Sequence, residues 1–591
     1  MIRRFLVTVG TLALVALVVI VATGGFILEA GPLRLTARGI RNPLIIAGAA
    51  WGLLLLLGPA ALARTTRQVA PFLQRHATAI AIVIAAACAG TGFGFNTFAA
   101  HSTDPSGYVS TSKMLLDGNL VRVEPLVKTF EWYGGGWNFS PLGHRPGVAE
   151  GEIVPTYPMG LPVVMALTRA VFGEFGEYAA VPLLGAALVL GCFLLGCRLH
   201  SPIGGLVAAA LAATSPVQLF HVVQPMSDVP AAAWLVLALA AALGDRWPSA
   251  VAAGICLGMA AATRPNLAPL ALVVAACTAG WPHGSWRQPR VLRVALLGLG
   301  LVPVLGPLMA MNLWLYGSAT STGYGGLDQY FTRANILPNV GDYLERILRG
   351  ELPALWLTAS AIAILLLRRG SRPPGSPEGG LRASALVAGG VGALMLAVYL
   401  PYGIFPDWAY LRFLLPGLAV AFVLVGALTA EAADRLPDWV RGPALIVGMT
   451  AVCTANVAAA TLEQVFNLRF YESRYRTVGH YLKETLPPNP VVITFQESGS
   501  IHYYTGAPIS RWDYMPHDLE DSVSAFRQRG LHPIFVVEDW ERSNLRARFP
   551  KSALARLDWT PRADIGETTH VWILDPADRQ AETPPVTDRF R

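Results

Sequence analysis

Asp104 stands in the stretch HSTDPSGYVSTSKMLLDGN, just past a long apolar run. A carboxylate at the edge of hydrocarbon costs free energy unless a task or a partner retains it, and such a group can take a proton from a hydroxyl. The competing reading is a cap on the helix that begins near Pro105. Asp228, in QPMSDVPAAAW, offers the same pair of readings, because Ser-Asp-x-Pro is also a good helix start. Arg264 lies in AATRPNLAPL between two apolar runs with almost no loop. At a helix centre an arginine costs about 2.5–3.5 kcal/mol on insertion scales, so this one must reach an interface. There it either snorkels or binds a phosphate. Arg412 in YLRFLLPGL carries the same choice, and so do His144 and Arg145. No P-loop, HExxH or GxSxG is present, so a soluble nucleotide is not indicated as energy source. The segment GTGFGF at 90–95 lies inside an apolar run, precedes no strand-helix unit and reads as helix packing.

These residues hang on apolar elements. The 591 residues are 53% hydrophobic and only 14% charged, with repeated runs of about 20 apolar residues, which is the composition of a polytopic α-helical membrane protein. The runs lie at about 5–27, 43–63, 77–99, 178–198, 203–223, 228–243, 247–263, 265–281, 291–315, 352–368, 383–402, 411–430 and 442–461, about 13 transmembrane helices. The first run is too long for the apolar region of a signal peptide and reads as an uncleaved anchor. The formal charge of +7 comes from arginines in short loops and does not point to nucleic acid. The six cysteines all fall inside apolar runs without a CxxC, so they argue for neither disulfides nor metal.

Sidedness turns on the proline-rich stretch 158–173, PMGLPVVMALTRAVFG. If it lies along the surface, the later cytoplasmic loops hold eleven arginines (198, 246, 287, 290, 293, 368, 369, 372, 382, 435, 441) and the opposite loops five (264, 333, 346, 349, 412). That bias follows the positive-inside rule. It makes 158–173 a juxtamembrane helix and places the polar region from about 462 outside. Arg34, Arg38 and Arg41 in the loop 28–42 go against it. The domain reading is then an N-terminal helix pair at 1–76, a membrane module at 77–461 with outer loops 100–157 and 316–351, an extracytoplasmic α/β domain at 462–577, and a frayed tail at 578–591. Strand-like VVITF, PIFVVED and HVWIL and helix-like LEDSVSAFRQRG give the α/β region its pattern. The segment RRGSRPPGSPEGGLR reads as a cytoplasmic linker. Trp132, Tyr133, Trp137 and Phe139 around three glycines suit a lid that stacks on a sugar, or a loop that packs on the membrane.

Taken in order, these motifs resemble the GT-C glycosyltransferases of the protein O-mannosyltransferase and aminoarabinose transferase type. The family's outer Asp followed by a Tyr and a small helix ending at Gly is matched by Asp104, Tyr108 and Gly118. Its proline-rich juxtamembrane helix ending in Phe-Gly is matched by YPMGLPVVMALTRAVFG. An outer Ser-Asp, Thr263 with Arg264, YGSATSTGYGG with Tyr324, and RFLLPGL with Arg412 follow in the same order. The resemblance covers 77–461 and implies a GT-C-like fold and transfer of a sugar from a polyprenyl-phosphate-linked donor to an acceptor hydroxyl on the outer face of the cell membrane. The acceptor is a lipid, glycan or protein. Asp104 is implied as general base or acceptor-orienting carboxylate, and Arg264 as ligand of the carrier phosphate. Tyr108, His144, Arg145, Asp228, Tyr324 and Arg412 are implied in substrate binding. In-line attack with Asp104 as base inverts the anomeric centre. No cofactor is required by the pattern, a divalent metal is left open, and no cluster in the sequence decides it. Two departures stand out. Pro105 replaces a second acid after Asp104, and Thr156 and Tyr157 stand where many members have a lysine, leaving His144, Arg145 or Arg412 to supply that charge. The competing classes are a transporter, which calls for paired repeats and mid-membrane charges that the sequence does not display, and a non-catalytic membrane assembly component of envelope glycans.

Overall fold

The computed structural model describes residues 2–23, 26–30, 33–37, 39–56, 66–282, 289–325, 330–351 and 380–590. Helices dominate. Among the described residues six helical stretches are long and apolar enough to cross a membrane, or seven if the bent pair Pro202–Thr214 and Pro216–Val222 is one span. That pair turns by 59° at Ser215 and Pro216, because a proline has no N–H to continue the helical ladder. Not every one of the about 13 expected spans is a long straight helix among the described residues. The expected spans 228–243 and 247–263 are the helices Asp228–Ala242 and Trp247–Thr263, of 15 and 17 residues, about 22 and 25 Å long against a hydrocarbon core of about 30 Å. The expected span 265–281 opens with a 3-10 turn, Pro265–Leu270, and ends as the short helix Ala271–Thr278. The run 352–368 and most of the linker at 368–382 lie outside the described residues.

The proline-rich stretch forms the helix Gly160–Phe172, which the 3-10 turn Gly173–Phe175 joins to the helix Gly176–Leu199 within one of the six stretches. Gly173 breaks the run with φ +70, and Gly176 lies so close to the carbonyl of Thr168 that a Cβ there would meet it at 2.1 Å. The short helix buries Leu161 and Met165 and exposes Leu167, Val171 and Phe172, an amphipathic division suited to an interface. Gly92, in the GTGFGF segment, packs against Pro182, with room for no Cβ, so that segment is helix packing.

The C-terminal region carries a six-stranded mixed sheet in the order Asp588–Phe590, Ala563–Ile565, Val571–Leu574, His532–Glu538, Pro490–Thr494, Ile509–Arg511. Apolar residues occupy both faces of its central strands, which requires cover on both sides. Val492, Ile534 and Val536 meet Val478 and Leu482 of the helix Leu468–Thr485. Val491, Ile493, Phe535 and Val537 meet Phe526, Leu545 and, from the first outer loop, Phe130 and Phe139. Two expectations change here. The terminal segment is not frayed throughout, because Asp588–Phe590 adds to the sheet edge parallel to Ala563–Ile565. The aromatic loop is not a free lid: Trp132 stacks on Phe139 with ring centroids 5.5 Å apart, and Phe139 is fully buried. These rings cover a sheet face that water would otherwise wet.

Candidate functional site

The helix Thr103–Leu116 carries Asp104 in its first turn, where the helix dipole favours a negative charge. The residue before that helix, Ser102, has φ +43, an uncommon conformation of the kind that collects at functional sites. Three contacts hold this helix. Gly107 lies against the Tyr157 ring and Gly143, a Cβ there meeting them at 2.5 and 2.9 Å. Gly499, in the sheet's helix Ser498–Thr505, lies against Ser106, with 2.5 Å to its hydroxyl for an added Cβ. The amide of Ala100 donates to the Tyr504 hydroxyl at 2.9 Å. The C-terminal sheet and the membrane helices therefore position one acid together.

Asp104 is not a helix cap. Tyr157 donates its hydroxyl to Oδ1 at 2.6 Å, and Arg412 donates Nη1 to Oδ2 at 3.1 Å. The Arg412 Nη1 also lies 3.9 Å from Asp228 Oδ2, whose other oxygen forms an ion pair with Arg264 Nη2 at 2.6 Å. The Arg264 Nε donates to Ser227 Oγ at 3.2 Å, and that oxygen also accepts the Tyr108 hydroxyl at 2.8 Å. Tyr108 and Tyr157 face one another with centroids 4.8 Å apart, so the network runs through two tyrosines, two acids, two arginines and a serine. Arg412 lies over the Tyr410 and Phe413 rings at 4.9 and 5.3 Å, an orientation that steadies a guanidinium.

Exposure separates the two acids. The Asp104 side chain is 27% exposed and that of Asp228 is 0%, so Asp104 is open to its surroundings while Asp228 is the internal counter-ion of both arginines. Beside Asp104 opens a cavity of about 480 Å³, lined also by His221, Asp407, Tyr410, Arg412 and Gln496. The Arg412 Nε is buried with no partner among the described residues. Burial first, and then the Asp104 charge, push the Tyr157 hydroxyl well above the ordinary tyrosine range, so it remains a hydrogen-bond donor. Tyr324 reaches the same cluster through Tyr157, with ring centroids 6.0 Å apart.

Of the residues anticipated from the sequence, the structure joins Asp104, Tyr108, Asp228, Arg264, Tyr324 and Arg412. It does not join His144 or Arg145 to them directly. Arg145 donates to the Gly323 carbonyl at 2.9 Å and lies over Trp137 at 5.5 Å, so it holds the loop that bears Tyr324. His144 is buried against His502, ring centroids 5.6 Å apart, with Arg122 on the far side donating to His502 at 2.8 Å. Burial lowers His144 to about 4, so it is neutral at pH 7. Of the three residues left to supply the charge, only Arg412 contacts Asp104. Tyr157, His221 and Gln496 were not anticipated as site residues, and Ser227 only as part of the Ser-Asp helix start; for the other three the departure at Thr156 and Tyr157 was the one available signal. Among the described residues no group of three His, Cys, Asp or Glu side chains is placed to hold a metal ion, and both acids already face arginines.

ArnT from Cupriavidus metallidurans bound to undecaprenyl phosphate superposes with TM-score 0.51 at 14% identity, over 83% of this chain and 97% of that one. Its apo state gives 0.53 at 14% identity, over 84% and 98%. The chain has the GT-C fold. No protein-family model and no curated protein matches the sequence, so the GT-C likeness is carried by the path of the chain and not by residue identity.

Proposed function

We propose that the protein is a membrane glycosyltransferase that moves a sugar from a polyprenyl-phosphate-linked donor to an acceptor hydroxyl on the outer face of the cell membrane. The observation that carries this reading is the partly exposed Asp104 carboxylate, paired with Arg412, beside a cavity that Arg412 also lines. Undecaprenyl phosphate bound to the similarly folded ArnT supports a lipid-phosphate donor. The acceptor hydroxyl donates to Asp104, whose oxygens retain lone pairs beyond those used by Tyr157 and Arg412. As the hydroxyl oxygen attacks the anomeric carbon, its proton passes to Asp104. The bond from that carbon to the carrier phosphate breaks, and the electron pair leaves with the phosphate. Arg412 and Arg264 stabilise the charge that grows there, and attack from the face opposite the phosphate inverts the anomeric centre. In this reading loops 100–157 and 316–351 and the sheet region 462–577 face outward.

Membranes containing the protein, incubated with a set of radiolabelled polyprenyl-phosphate sugars, test the reaction. Asp104→Asn is expected to lower transfer by about a hundredfold or more, the scale of a lost general base, with carrier binding retained. Near wild-type transfer by that variant would return Asp104 to a structural role. Failure of every donor with the wild-type protein would remove the activity itself.

A further inference from the structure

A second cavity, of about 430 Å³, opens away from the reaction cluster, at the end of the apolar helix Gly176–Leu199 that meets the C-terminal sheet region. Its charged lining is mostly basic: Lys113, Arg169, Arg469, Arg476, His480 and Lys483, against Glu174 and Glu177. Glu177 is already taken, by Arg169 and by the Tyr503 hydroxyl at 2.7 Å. Glu174 lies 3.7 Å from Arg169. Lys113, Arg469, Arg476 and Lys483 have no carboxylate partner among the described residues. Like charges gathered on one wall repel unless an anion comes between them.

The gathering follows from the sequence. Positions 469, 476, 480 and 483 are spaced by seven, four and three residues, which sets them on one face of the helix Leu468–Thr485. Tyr475, Val478 and Leu482 of the opposite face are buried. The cations meet aromatic walls, Arg469 over Phe98 at 5.1 Å and Lys113 over Tyr503 at 5.6 Å. At the mouth Phe175 is 57% exposed, and beyond it Phe172 and Val171 are 62% and 72% exposed. An anion site bordered by bare hydrocarbon at the end of an apolar helix suits an amphiphile.

We propose that this cavity binds the phosphate-class head group of an anionic membrane lipid, with its chains along the exposed apolar face of Gly160–Phe172. The site is separate from the reaction cluster. Asp104 and Lys113 share one helix, nine residues apart, about 13 Å along its axis and on opposite sides of it.

Full-length protein in neutral detergent, titrated with phosphatidylglycerol, phosphatidylcholine and inorganic phosphate, tests this. Wild type is expected to bind phosphatidylglycerol at least tenfold more tightly than phosphatidylcholine. Arg469→Gln/Arg476→Gln is expected to weaken phosphatidylglycerol at least tenfold with Tm unchanged. Inorganic phosphate is expected to compete only at much higher concentration. Equal lipid affinity in wild type and variant overturns the site. Inorganic phosphate binding as tightly as the lipid overturns the lipid as its source. Arg527→Gln/Lys551→Gln removes two cations elsewhere; equal weakening there reduces the effect to general surface charge and overturns the site. If the first double variant melts early, Lys113→Gln/Lys483→Gln, on two different helices, is judged by the same criteria.

Discussion

Asp104 and Asp228 are the same side chain in two surroundings. Asp228 is fully buried between Arg264 and Arg412, whereas Asp104 reaches the cavity. Removing one partner of a buried ion pair costs about 3–5 kcal/mol, because the other charge is left uncompensated. Arg264→Ala is therefore expected to lower Tm sharply and to weaken donor binding at once. Adding Asp228→Asn is expected to restore much of the Tm by removing the stranded charge, while donor affinity stays low. Thermal melts and donor titrations on the same preparations read both effects, and a double variant as unstable as Arg264→Ala would show that the pair does not act as a unit. Arg412→Ala should separate the two more cleanly, since its nearest acid can be solvated. A loss of about 1.5–3 kcal/mol of charge-assisted contact corresponds to a donor affinity roughly ten- to a hundredfold weaker. Tyr157 shows the limit of reading residues one by one: its hydroxyl meets an acid 53 positions away, and nothing in local spacing brings two such positions together.

At the scale of elements, the acid helix is held by close backbone approaches and by a neutral histidine pair. Gly107→Ala is expected to push the helix off Tyr157 and Gly143 and to reduce transfer at least tenfold; wild-type turnover in that variant would mean that the contact is slack. His144 and His502 lie between the first outer loop and the helix Ser498–Thr505. Burial lowers His144 to about 4, and burial with His144 and Arg122 nearby lowers His502 to about 3. The unfolded chain takes up these protons near pH 6.5, before the folded one does. Stability is thus complete above about pH 6.5 and falls as the pH drops from there toward 4 and 3. Melting curves across this range should show Tm falling with pH, with a shallower fall in His144→Gln. An equal slope in that variant would locate the acid sensitivity elsewhere. Arg293 makes a related point. It was counted as a cytoplasmic loop arginine, yet it is fully buried and donates to the carbonyls of Thr278, Ala242 and Gly244, closing two helix ends.

For the whole molecule, the sheet region is built into the membrane module: Phe130 and Phe139 of the first outer loop complete one of its cores, and Asn138 donates to the Arg511 carbonyl at 2.8 Å. Both must therefore lie on one side of the membrane. In the proposed orientation that side is outside, so a cysteine at the exposed Lys551 is expected to react with an impermeant reagent in intact spheroplasts. Labelling only after lysis would reverse the topology and move the proposed reaction to the cytoplasmic face.

Composition and apolar periodicity by themselves determined that the chain is helical and membrane-bound, with a strand-bearing C-terminal region, because hydrocarbon and backbone hydrogen bonding act on every segment locally. Residue types at the ends of apolar runs were enough to single out Asp104, Asp228, Arg264 and Arg412, since charges there carry a cost that sequence alone reveals. Which apolar runs form long straight helices was not legible, because an apolar run shows composition and not whether a proline or a positive-φ glycine bends it. Which acid is open, which arginine pairs with it, that Tyr157 donates to it, and that His144, Trp132 and Phe139 pack against the sheet region were decided by the tertiary structure alone. Those outcomes depend on contacts a few ångströms long between segments tens to hundreds of residues apart, and on burial, which no single segment possesses before the others close around it.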